Sequence, residues 1–147
     1  MKQVNIAILG CGTVGTGVAR LLLENGDIIQ DRIGCTLNLK YVADIDTARD
    51  RGITLAPGVL VADAAIAVND PQIDVVVETI GGEGIAKRLI LDAIENGKHV
   101  VTANKAMIAH HGTALVRAAE AKGTTIAFEA AVAGGIPIIK AMREALV

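Results

Sequence analysis

The hexapeptide Gly10-Cys11-Gly12-Thr13-Val14-Gly15 constrains this chain more than any other feature. It follows an apolar, β-rich run, Val4 to Leu9, and leads straight into a segment of helical period, Thr13 to Glu24. Along that segment Val14, Val18, Leu21 and Leu22 fall near one face. A G-x-G-x-x-G between a strand and a helix is the phosphate turn of a dinucleotide fold. Gly10 permits the tight turn, Gly12 lets the backbone approach a pyrophosphate, and Gly15 lets helix and strand pack closely. Amides of the first helical turn, at Thr13 and Val14, then face the phosphates with the helix dipole behind them. A glycine-rich turn with no ligand is the competing structural reading.

The rest of the chain alternates in the way such a fold requires. Asn25-Gly26 ends the first helix, and Asp27 to Asn38 is irregular, an extension of the helix before a loop. Leu39 to Ala43 reads as a second strand, Thr47 to Gly58 as a polar connection, and Ala62 to Val68 as a short helix stopped by Asn69-Asp70-Pro71. Asp74 to Glu78 is a third strand whose Val75-Val76-Val77 lacks polar alternation, as in a sheet covered on both faces. Glu83 to Asn96 is an amphipathic helix with Ile85, Leu89 and Ile94 inward and Gly97 as its C-terminal cap. Val100 and Val101 mark a fourth strand, Thr113 to Lys122 a helix, and Thr124 to Phe128 a fifth strand, after which Pro137 opens a last helix. Strand–helix alternation implies an α/β fold with a doubly wound parallel sheet, and with the glycine turn a Rossmann dinucleotide-binding fold.

Composition agrees and excludes several classes. The 147 residues are 52% apolar and 20% charged, enough for a packed core. A net charge of −2 leaves no basic footprint for nucleic acid, and one Tyr, one Phe and no Trp leave no stacking platform for bases. No stretch reaches the ~20 apolar residues of a membrane span. Ile8-Leu9-Gly10-Cys11 loosely mimics a lipoprotein cleavage site, but the apolar run before it is shorter than the roughly 7–15 residues of a signal core. Cys11 and Cys35 fit no disulfide framework or metal spacing and read as reduced thiols of a cytoplasmic chain. His99, His110 and His111 form no metal motif; His99 lies at a strand and His110-His111 precede a turn glycine.

An acidic residue at the end of the second strand holds the adenosine ribose in such folds. Asp44 fits that place, with Asp46 as a rival, though it lies 29 residues past Gly15, beyond the usual ~20, so an insertion around Asp27 to Cys35 is required. A carboxylate there repels a 2′-phosphate and favours NAD over NADP; Arg49 and Arg51 nearby weaken that preference.

Three further stretches are specific: Val76-Val77-Glu78-Thr79-Ile80-Gly81-Gly82, Gly97-Lys98-His99-Val100-Val101-Thr102-Ala103-Asn104-Lys105, and Phe128-Glu129-Ala130-Ala131-Val132-Ala133-Gly134-Gly135-Ile136-Pro137. By position alone, Thr79, Ile80 and Gly81 fall at the carboxyl edge of the sheet, where ligands bind or a plain turn runs. Lys105 falls near the same edge, where a lysine can hold a reacting oxygen or move its proton, or merely be solvated. Together with the glycine turn, these stretches resemble the nucleotide-binding domain of homoserine dehydrogenase over essentially the whole chain. The resemblance implies an oxidoreductase that interconverts L-homoserine and L-aspartate 4-semialdehyde, on the route to threonine and methionine, using NAD or NADP. It puts Thr79, Ile80 and Gly81 against the cofactor and the catalytic lysine on Lys105. It also implies a sodium ion, with Glu129 and the backbone carbonyls of Val132, Gly134 and Ile136 as ligands; Ala131 stands where the family usually has Ser. The competing reading of Glu129 is a glutamate satisfied by backbone amides. The resemblance further implies a homodimer and a second domain carrying the substrate carboxylates and another catalytic lysine. The last helix reaches Leu146 and Val147 with no capping signal, so residues 1–147 are expected to be one nucleotide-binding domain cut from a longer chain. That domain alone is expected to bind dinucleotide with little turnover. Two other readings stay open: a related small-substrate dehydrogenase such as L-aspartate dehydrogenase, and a dinucleotide-binding module without catalysis.

Overall fold

Four consecutive buried apolar residues, Ile6 to Leu9, make the first strand, β1 (Lys2–Leu9), the centre of the molecule. Ala7 and Leu9 enter one core, on the side of the sheet where the later helices pack, while Ile8 enters a second core on the opposite side with Ala19 and Val42. The computed structural model describes residues 2–146; Val147, half of the expected apolar chain end, lies outside the described residues. After β1 come α1 (Thr13–Glu24), α2 (Gly26–Ile33), β2 (Cys35–Ala43), β3 (Leu60–Val61), α3 (Ala64–Asn69), β4 (Val75–Glu78), α4 (Gly84–Glu95), β5 (His99–Thr102), α5 (Lys105–Ala121), β6 (Ile126–Ala127), a 3₁₀ turn at Glu129–Ala131 and α6 (Ile138–Ala145). All pairings are parallel and the strand order is β3-β2-β1-β4-β5-β6. This is the doubly wound α/β sheet expected, and its connections reverse direction between β1 and β4. At such a switch point the strand ends leave a crevice for a ligand.

Several local expectations change. The irregular stretch after Gly26 is a separate helix, α2, ended by Gly34 in the left-handed region (φ +72°), whose N–H donates to the Gln30 carbonyl at 2.8 Å. This helix is the insertion that delays Asp44. β2 begins at Cys35 rather than Leu39, because Asn38 donates its side-chain amide to Asn5 Oδ1 of β1 at 2.9 Å and is thus satisfied within a strand. β3 has two residues, too short to leave a periodic signature. The helix expected from Thr113 starts at Lys105, so His110 and His111 lie inside α5 and Gly112 is a helical glycine, not a turn. Val14, Leu21 and Ile85 are exposed, while Val18, Leu22, Leu89 and Ile94 pack inward. Coverage of the sheet is also uneven. Val76 is fully buried, but on the other face Val101 of β5 is 38% exposed.

Candidate functional site

The glycine turn closes on the loop that follows β4. Gly10 has φ +92°, and a Cβ there would lie 2.8 Å from the Ile80 nitrogen. A Cβ on Gly15 would lie 1.9 Å from the Gly10 carbonyl oxygen and 2.7 Å from Thr79 Oγ1. Both positions therefore exclude any side chain. Thr79 completes the junction by donating its hydroxyl to the Gly10 carbonyl at 2.7 Å. Gly12 differs: a Cβ there would meet nothing within 4 Å. The space above Gly12 is open, and it faces the start of α1, where no side chain caps the helix and no acidic residue occupies the first turn. Thr13 and Val14 are exposed in that turn. An anion with several oxygens fits this cradle, because free N–H groups and an uncompensated helix dipole converge on it.

Asp44, directly after β2, is bound to the same turn. Its Oδ2 accepts the Cys11 N–H at 2.7 Å, and Oδ1 accepts the Asp46 N–H at 2.9 Å and pairs with Arg51 Nη2 at 3.2 Å. Burial alone would raise its pKa, but the N–H donors of Asp46 and Cys11, joined by Arg51, outweigh it and hold the carboxyl below the usual range. Oδ2 keeps a lone pair for a further donor. Arg51 is fully engaged. Its side chain is 5% exposed, and it donates to the carbonyls of Cys11 (2.8 Å), Arg49 (2.9 Å) and Asp46. Asp46, the rival, instead accepts the Arg49 N–H at 3.1 Å in a local turn.

A cavity of about 490 Å³ opens at this edge of the sheet. Gly10, Gly12, Asp44, Thr79 and Ile80 line it; Thr13, Val14, Gly15, Gly81, Lys105 and the segment from Glu129 to Ile136 do not. Its volume and mixed lining suit a nucleoside-sized ligand.

A buried network that the sequence did not reveal joins the loops after β4 and β5. Glu78 is fully buried; Oε1 accepts the N–H groups of Ile80 (2.9 Å) and Gly81 (3.0 Å), and Oε2 accepts the Thr102 hydroxyl at 2.5 Å. Thr102 Oγ1 accepts the Asn104 N–H at 3.0 Å. Asn104 caps α5 by accepting the Met107 N–H at 3.1 Å and donates to the Gly82 carbonyl at 2.6 Å. Lys105 follows immediately, exposed on the first turn of α5, with no hydrogen bond or ion pair among the described residues. Only a polar residue closing an apolar strand, Glu78, could have signalled this network in the sequence. Glu83, just before α4, links that loop to α5 by bonds to His110 (2.8 Å) and His111 (3.0 Å), and His110 foremost holds its carboxyl below the usual range.

Glu129 lies in the 3₁₀ turn, and its two oxygens accept the N–H groups of Ile139 (2.9 Å) and Lys140 (3.0 Å) at the start of α6. The Ile136 carbonyl accepts the Ile138 N–H at 2.8 Å, whereas the carbonyls of Val132 and Gly134 accept no hydrogen bond among the described residues. Ala133 and Gly134 both have positive φ, +56° and +60°. The donor set is all oxygen, as a hard cation requires. Among the described residues no three His, Cys, Asp or Glu side chains cluster as a metal site, and no helix is long and apolar enough to cross a membrane.

Comparison with known proteins agrees with this geometry. The model of the homoserine dehydrogenase NAD-binding domain matches residues 10–129. The chain is 50% identical over 148 residues to homoserine dehydrogenase of Pseudomonas aeruginosa, covering 99% of this chain and 33% of that protein. Its fold is similar to the crystal structure of a homoserine dehydrogenase from Thiobacillus denitrificans, with TM-score 0.91 and 46% identity over 99% of this chain and 34% of that one. It is also similar to a hyperthermophilic archaeal homoserine dehydrogenase in complex with NADPH, with TM-score 0.77 and 26% identity over 95% of this chain and 48% of that one. The chain spans about a third of the length of the curated relatives it matches.

Proposed function

Because this chain belongs to the homoserine dehydrogenase family, as its NAD-binding domain, we propose that it is the nucleotide-binding part of an enzyme that interconverts L-homoserine and L-aspartate 4-semialdehyde. The observation that carries the reading is the open space over Gly12, framed by two glycines that exclude side chains and by an uncapped helix start. The N–H groups of the first turn of α1, at Thr13, Val14 and Gly15, bind the pyrophosphate. Asp44 accepts from the ribose hydroxyls through the free lone pair on Oδ2. Thr79, which donates to the Gly10 carbonyl, and Ile80 and Gly81, whose N–H groups donate to Glu78, lie against the cofactor. When bound, the dinucleotide supplies the hydride that reduces the aldehyde or takes it from the alcohol. Lys105, whose backbone the Asn104 cap places on the first turn of α5, contacts the cofactor and through Nζ holds the reacting oxygen or moves its proton.

NAD is the preferred cofactor. Asp44 presents negative charge where a 2′-phosphate would sit, and Arg51, the nearest cation, is spent on three carbonyls and on Asp44 itself. Arg49, exposed, is the cation left for NADP, the form bound by the archaeal relative. Glu129 and the carbonyls of Val132, Gly134 and Ile136 hold a sodium ion; the two carbonyls without partners are the support for it. The remaining part of the enzyme supplies the substrate carboxylates and a homodimer contact. A cytoplasmic setting and a role in threonine and methionine synthesis complete the reading, with the free thiols Cys11 and Cys35 in keeping with a reducing compartment.

A second reading, a binding module with no turnover of its own, is favoured by Lys105 lying outside the cavity. Calorimetric titration of the chain with NAD and NADP tests both. Binding of NAD tighter than NADP is expected, and Asp44→Ala should reduce NAD affinity more than NADP affinity; equal losses would refute the ribose role. In the full-length enzyme, Lys105→Ala should lower turnover strongly with little change in cofactor affinity, and near-normal turnover would refute its catalytic role.

A further inference from the structure

Past Asp44 the cavity continues into a slot with apolar walls and two unpaired charges. Ile45 is 94% exposed, Ile85 46% and Ile80 38%, and all three line the same cavity. Three large aliphatic side chains left open around one recess form a surface for a flat apolar ligand face. Asp63 and Arg88 line it as well, Asp63 ahead of α3 and Arg88 on α4. Asp63 Oδ1 accepts the Ala65 N–H at 2.9 Å, but Oδ2 has no partner among the described residues. Arg88 makes no hydrogen bond or ion pair among the described residues, with Asp63 or with any other group. Elsewhere the chain pairs such charges closely, as Lys40 with Asp70 at 2.6 Å. Here an acceptor and a donor border one recess without meeting.

We propose that Asp63 and Arg88 together read the adenine base of the dinucleotide. Asp63 Oδ2 accepts from the exocyclic amine at position 6, Arg88 donates to ring nitrogen N1 beside it, and the isoleucines cover the ring faces. The inference rests on the cavity being the dinucleotide site. Adenine presents a donor next to an acceptor on that edge, the complement of carboxylate next to guanidinium. Hypoxanthine presents the reverse, a carbonyl at position 6 and an N1–H, so each protein group would face a like partner.

The test is calorimetric titration of the chain with NAD and with nicotinamide hypoxanthine dinucleotide, which differ only at that edge. The unaltered chain should bind NAD about tenfold or more tightly, the loss expected when a hydrogen bond is replaced by an unpaired charged group. Asp63→Asn keeps the oxygen that caps α3 and puts an amide donor in place of Oδ2, so the ratio should fall toward one or invert. Arg88→Met keeps the apolar stem and should weaken NAD more than the hypoxanthine analogue. Equal affinities in the unaltered chain overturn the proposal, as does an unchanged ratio in a folded Asp63→Asn chain. Failure of the unaltered chain to bind either dinucleotide overturns the dinucleotide reading itself and this inference with it.

Discussion

Replacing Gly15 by alanine adds one methyl group in a place where the backbone has left no room. The new Cβ would lie 1.9 Å from the Gly10 carbonyl oxygen and 3.0 Å from its carbonyl carbon, both rigid backbone, so α1 must move off the turn or the turn must open. Overpacking of this kind costs about 1–3 kcal/mol or more, and alanine returns at most about 1 kcal/mol through its better helix propensity. At roughly 2–4 °C per kcal/mol for a domain of this size, Gly15→Ala should melt several degrees below the unaltered chain. Two other glycines of the same segment provide the controls. Gly17 lies within α1 with nothing within 4 Å of its Cβ position, so Gly17→Ala should raise the melting temperature by about 2–4 °C. Gly12 is equally open, and Gly12→Ala should cost no more than about 1 kcal/mol as a poorer helix cap. Its methyl group would instead occupy the proposed phosphate approach; losing one charge-assisted hydrogen bond, ~1.5–3 kcal/mol, should lower NAD affinity roughly 10–100-fold. Thermal melts by circular dichroism and calorimetric titration separate the two effects. If Gly15→Ala melts like the unaltered chain, or Gly12→Ala binds NAD undiminished, the assignment of steric and ligand-facing glycines is wrong.

Two further perturbations probe the supports of the site. Asn104→Ala removes both the α5 cap and the bond to Gly82, and should destabilise the chain by about 1–2 kcal/mol in a thermal or urea melt; an unchanged midpoint would show that the network carries no stability. Asp70 has a lowered pKa, first because Lys40 donates to it and then because of the Gln72 N–H. The folded state therefore favours its ionised form, and this stability is complete above the ordinary carboxylate value of about 4 and is lost as pH falls from there through the folded value. Melting temperature measured from pH 7 down to pH 3 should fall at the acid end, and Asp70→Asn should flatten that fall; an equally steep acid limb in the variant would assign the loss to other groups.

Local order along this chain was legible wherever short-range chemistry decides it. Val4 to Leu9, the glycine turn and the helix from Thr13 could be read directly, since a β-rich run, a turn that only glycine can make and a 3.6-residue period are properties of neighbours. Asp44 was legible too, as the acidic residue that ends the second strand. What failed to show was whatever depends on residues distant in the sequence. Gly112 and the paired histidines before it read as a turn, yet α5 runs through them because Asn104 caps it and Met107 and Leu115 are buried against the sheet. Ile85 follows the inward period of α4 but remains open, because the cavity, not the core, lies opposite it. Arg51 read as a cation for a 2′-phosphate; only folding shows its guanidinium spent on carbonyls of residues 11, 46 and 49. Glu78 could be placed at the end of its strand, but not its burial or its bond to Thr102, which meets it only across the adjacent parallel strand. The sequence by itself determined the alternation of elements and the geometry of the glycine turn, because both are encoded within a few residues. The tertiary structure decided which charges are spent and which are free, because hydrogen-bond donors and acceptors are finite and only the folded chain assigns their partners.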